Sequence, residues 1–106
     1  MPAKSRHSRP HPDLPPLHPG EVLREDILPA LDMTSAELAR TLGLPAAALK
    51  AIVSEKKPVT PEIAIRLAKA FKPSAEFWLR LQAAYDLWHA GRKIDTSEIP
   101  SLQAAE

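Results

Sequence analysis

Proline placement constrains this chain more than any other feature. Each proline ring fixes φ and removes a backbone donor, so it is excluded from helix interiors yet suits a first helical turn. Six of the twelve prolines fall in the first twenty residues, Pro2, Pro10, Pro12, Pro15, Pro16 and Pro19. They are interleaved with Lys4, Arg6, His7, Arg9, His11 and His18. A segment of that kind cannot hold a helix, and Met1 to Leu17 reads as a flexible basic arm. It is either a plain N-terminal tail or an arm that adds contacts to phosphates.

Beyond the arm, the punctuation predicts five helices and no strand, an all-α domain over residues 18–91 followed by a polar tail, 92–106. Val22, Leu23 and Ile27 recur at helical spacing in a first helix from Pro19 to about Leu28, which Pro29 helps to stop. Thr34 opens a second helix with the Thr-x-x-Glu capping box completed by Glu37. Gly43 ends it in the left-handed conformation that follows many helix C-termini. Pro45 begins a third helix, to about Ser54. Thr60, Pro61 and Glu62 supply the cap, first-turn proline and acid of a fourth, to Phe71. After the break at Pro73, Ser74 caps a long last helix to Ala90, closed by Gly91.

Helices two and three carry the spacing of a helix-turn-helix. Ala39 lies where the two must approach closely, Gly43 follows four residues later, and Leu38, Leu42, Leu44, Leu49 and Ile52 are set to face inward. In such a motif the N-terminal part of the second helix enters the DNA major groove. There Arg, Asn or Gln make bidentate bonds to base edges worth about 1–3 kcal/mol each. This chain has Pro45, Ala46, Ala47 and Ala48 instead, small residues that touch a thymine methyl at most, so base discrimination is expected to be weak. Lys50 is the long polar side chain set to reach the groove. Lys56 and Lys57 are placed for phosphates, as are Thr34, Ser35 and Arg40 from helix two. Taken singly, each lysine is equally readable as a solvated surface charge.

The last helix has more apolar surface than one small core can use. On a helical wheel Phe77, Leu81, Tyr85, Trp88 and Trp78 form one arc, and Leu79, Ala83 and Leu87 form a second stripe beyond Gln82, Asp86 and His89. The second stripe is expected to meet another copy of the chain, a homodimer that would hold two motifs on one duplex. The alternative is that Ile94, Ile99 and Leu102 fold back over it.

Other classes find little support. At 44% hydrophobic and 25% charged residues, the composition is that of an ordinary globular protein, and a formal charge of +1 points to no partner. Zero cysteines exclude disulfides, cysteine nucleophiles and thiolate metal sites. No apolar run approaches the roughly 18 residues that span a bilayer, so a cytoplasmic protein is expected. Three of the four histidines, His7, His11 and His18, are read as part of the arm, leaving His89. No metal site, cofactor site, nucleophile–base pair or phosphate-binding loop emerges, and no enzyme is expected. Glu21, Glu25 and Asp26 read as a solvated helix face.

Four stretches, HPGEVLREDIL, ELARTLGLP, PVTPEIAIRLAKAF and SAEFWLRLQAAYDLWHA, together resemble the HigA-type antitoxins of the Xre (lambda-repressor-like) helix-turn-helix family. The resemblance spans His18 to about Ala90. It implies a homodimeric repressor of its own toxin–antitoxin operon that also neutralises a small toxin cleaving messenger RNA on the ribosome. It further implies DNA-facing roles for Lys50, Ser54, Lys56 and Lys57. Two departures stand out: the alanines after Pro45, where the family carries polar residues, and Glu55 in place of the glycine usual after helix three. Glu55 places an acid near the phosphates. A protein-interaction module on the same scaffold, with little operator binding, is the alternative from a different class.

Overall fold

The computed structural model describes residues 14–103. Most of the expected basic arm, residues 1–13, lies outside the described residues. Among the described residues every regular element is helical: α1 (Pro19–Val22), a π-helical turn (Leu23–Ile27), α2 (Leu28–Leu31), α3 (Ser35–Leu42), α4 (Ala46–Val53), α5 (Pro61–Ala70) and α6 (Ala75–Lys93).

The first three of these run on without a break, so the opening helix passes the expected stop at Pro29 and ends at Leu31. In a regular α-helix the Pro29 ring would meet the carbonyl four residues back. The turn just before it is wound wide, with the Leu28 N–H bonded to the Leu23 carbonyl, and a widened turn relieves that clash. The rod stops at Asp32, in the left-handed conformation at φ 53°, while the Met33 N–H closes on the Leu28 carbonyl.

His18 begins the rod, and it is not part of an arm. The residue is 2% exposed, and its Nδ1 accepts the Gly20 N–H at 2.8 Å, capping α1. The ring stands edge-on to Tyr85 of α6 at a centroid distance of 4.8 Å. Burial lowers its pKa below the usual 6.5, against opposing pulls from Glu55 and Asp86. Leu17 before it already packs against the core. Gly20 lies against α4 so closely that a methyl group on it would overlap the Ile52 carbonyl oxygen.

The other caps are those expected. Thr34 Oγ1 accepts the Glu37 N–H at 3.1 Å and Glu37 Oε1 accepts the Thr34 N–H at 2.9 Å. Thr60 and Ser74 cap α5 and α6. Pro45 stands one position earlier than expected, as the cap residue of α4 rather than its first turn. α6 continues through Gly91 to Lys93. Gly91 has a helical backbone and open space around it, so nothing there forces the helix to end.

Leu23, Leu38, Leu49, Ile52, Leu67 and Trp78 are fully buried, and each such side chain contributes about 1.5–3 kcal/mol. On α6 the buried face differs from the expected arc: Trp78 and Gln82 are its buried residues, and Phe77 is exposed. Gln82, expected as a polar divider, is drawn inward because the buried connector residue Val59 has an amide that needs an acceptor. Gln82 Oε1 accepts it at 2.8 Å, and Gln82 Nε2 donates to Asp86 Oδ1 at 3.0 Å. Leaving such an amide unpaired costs about 1–3 kcal/mol.

Candidate nucleic-acid interface

The turn between α3 and α4 is closed as its sequence spacing requires. Ala39 is buried, Gly43 takes φ 74°, and the Leu44 N–H returns to the Ala39 carbonyl at 2.8 Å. α4 is then seated from within by Leu49 and Ile52, both fully buried. With those positions inward, Ala46, Lys50 and Ser54, four residues apart, share an exposed stripe, and Pro45 and Ala47 stand exposed beside its start. Ala48 and Ala51 are half-buried on the flanks.

Lys56 and Lys57 follow in the exposed loop, where their N–H groups close on the Ala51 carbonyl at 2.8 and 3.1 Å. Arg40 is exposed on α3. Among the described residues the ion pairs belong to Arg24 and Arg66, and none holds Arg40, Lys50, Lys56 or Lys57. Their charge stays available to an anion.

Three other expected contacts are less free. The Thr34 hydroxyl oxygen is occupied by its own capping box, and Ser35 is half-buried. Ser54 Oγ donates back to the Lys50 carbonyl at 2.8 Å, so its proton is used within the helix.

Two arginines that no local pattern singles out support this surface. Arg66 of α5 donates from Nη1 to the Leu42 carbonyl at the end of α3, at 2.7 Å, and pairs with Glu62 at 3.1 Å. Arg24 of the opening rod donates from Nη1 to the Val53 carbonyl at the end of α4, at 2.6 Å. The two helices of the motif thus each have a C-terminal carbonyl held by an arginine from a neighbouring element, a favourable placement of charge against the helix dipole. Hydrogen bonds from Arg24 to Glu55, then to Glu25, raise the guanidinium pKa above its usual value. Neither carbonyl contact has a local signal: the two carbonyls lie 24 and 29 residues from their arginines.

The stripe expected to meet a second copy is only partly outside. Leu79 packs against the core of its own chain, because α6 leans that side onto the bundle, while Ala83 is exposed and Leu87 is 74% exposed. Ile94, Ile99 and Leu102 are themselves exposed, so the tail does not fold over Leu87. Among the described residues no helix is long and apolar enough to cross a membrane. Among the same residues no three His, Cys, Asp or Glu side chains gather as a metal site would need.

Known proteins share this arrangement. The helix-turn-helix family matches residues 23–86. The HTH-type transcriptional regulator YbaQ of Escherichia coli is 39% identical over 83 residues, 78% of this chain and 74% of that protein. The Pseudomonas aeruginosa antitoxin HigA, solved with the higBA promoter, superposes with a TM-score of 0.74 at 39% identity, covering 83% of this chain and 99% of that one. The antitoxin GraA in complex with its operator gives 0.75 at 35% identity, over 88% and 94% of the two chains.

Proposed function

The chain belongs to the helix-turn-helix family of DNA-binding, non-enzymatic regulators, and from that membership we propose that it is an antitoxin that represses its own operon. It acts as a homodimer in the cytoplasm, binds its operator through α4, and neutralises a small toxin that cleaves messenger RNA. The observation that carries this is the outward stripe of α4, with Lys50, Lys56 and Lys57 exposed and unpaired among the described residues. Relatives of the same fold have been solved on promoter and operator DNA. Thr34, Ser35, Arg40, Pro45, Ala46, Ala47 and Ser54 complete the surface, most of them as backbone-positioning or van der Waals contacts.

The exposed methyl groups of Ala46 and Ala47 favour a second reading, an interaction module that keeps the scaffold and binds its operator weakly. Salt dependence separates the two. Gel-shift titration on the chain's own upstream DNA is expected to show affinity falling steeply with salt. Changing Lys50, Lys56 and Lys57 together to alanine is expected to lower the slope of log K against log salt by about 2–3, one for each lost phosphate contact. An unchanged slope rejects these lysines as the contacts, and salt-insensitive binding favours the interaction module. Co-purification with the product of a short adjacent reading frame tests the toxin partnership.

A further inference from the structure

We infer that Arg24 is a positioning residue for operator recognition: it holds the Glu55 carboxylate off the phosphate-facing surface while tying down the end of α4. This rests on the operator binding proposed above. Glu55 directly follows the cap of α4 in a left-handed backbone conformation, φ 67°, one that residues with a Cβ adopt reluctantly. The chain reverses there, and the amides of Lys56 and Lys57 turn back onto Ala51. An acid therefore stands next in sequence to the two lysines offered to phosphate, where a free carboxylate would repel the DNA backbone.

The carboxylate is not free. Arg24 Nη2 donates to Glu55 Oε2 at 3.0 Å, its Nη1 donates to the Val53 carbonyl at 2.6 Å, and its Nε donates to Glu25 Oε2 at 3.1 Å. The planar fork reaches a carbonyl and two carboxylates from three separate nitrogens, a spread that the single ammonium nitrogen of a lysine does not offer. The grip comes from the opening rod, so Glu55 is held toward that rod. Lys56 and Lys57 remain exposed. The departure at position 55 and the arginine at position 24 thus belong together.

Fluorescence anisotropy of the full chain with a duplex of its own upstream region, over a series of salt concentrations, tests this. Arg24→Gln is expected to weaken binding on the order of tenfold and to flatten the salt dependence, because an unmasked anion cancels part of the lysine charge. Glu55→Gln added to Arg24→Gln should restore most of both, since no anion is left to mask. Glu55→Gln alone should bind as the wild type does. Thermal melts accompany each variant, and if Arg24→Gln fails to melt cooperatively, Arg24→Met, which keeps the apolar stem without the charge, is read in its place with the same rescue expected. Wild-type affinity in the arginine variant, or a loss that Glu55→Gln leaves unrepaired, overturns the inference. Absence of salt-dependent binding by the wild-type chain removes the proposed operator function instead, and this role of Arg24 with it.

Discussion

Gly20 shows how much a single position can carry. Its Cα lies against the Ile52 carbonyl of α4, so the opening rod and α4 approach at backbone distance. Gly20→Ala forces a methyl into a carbonyl that cannot swing aside, and overpacking of that kind costs about 1–3 kcal/mol or more. The expected outcome is a lower urea midpoint, with residual protein that binds DNA more weakly; an unchanged midpoint would show that the rod can shift away freely. Residues that act locally were readable in the sequence, among them Ala39, Gly43, Thr34 and the inward leucines. Gly20, Arg24, Arg66 and Gln82 were not, because each answers to a group 23 to 32 positions away, and no local pattern encodes that distance.

At the level of elements, the five helical segments were legible through their caps, while their extents were less so. A capping box or a first-turn proline announces a beginning, because the first satisfies amides of the opening turn and the second lacks one that would be left unpaired. Endings are announced less clearly: the π-helical turn carries the first rod past Pro29, and α6 runs past Gly91, where nothing stops it. The cap of α1 also makes the fold sensitive to acid. His18 Nδ1 accepts the Gly20 N–H, so protonation there would abolish the cap as well as charge a buried ring. Its folded pKa lies below the unfolded 6.5. In that window the unfolded chain binds a proton that the folded chain refuses, so the stability is complete above about pH 6.5 and declines as pH falls. His18→Asn keeps an acceptor that does not titrate. Urea midpoints measured across this range should fall less steeply with acid in that variant than in wild type, even if it starts lower. Parallel pH profiles would assign the effect elsewhere.

For the whole molecule, the candidate site was legible as a scaffold, and its partners only in outline. The sequence marked the surplus apolar face of α6 but could not divide it: Leu79 belongs to the core, and Ala83 with Leu87 remains outside. Periodicity reports that a face is apolar, not which body covers it. If a second copy covers it, Leu87→Asp should leave the monomer folded and shift sedimentation from dimer to monomer. Operator affinity should then fall as the two half-site contacts uncouple. A dimer undisturbed by that change places the contact elsewhere. The alanine stripe has a different consequence. The side chains that anchor α4, Leu49 and Ile52, are not those it displays, Ala46, Ala47 and Lys50. If α4 reads the operator as proposed, new preferences arise by single codon changes on an almost blank template, with little toll on folding, and lineages of such proteins can diverge in target while keeping one architecture.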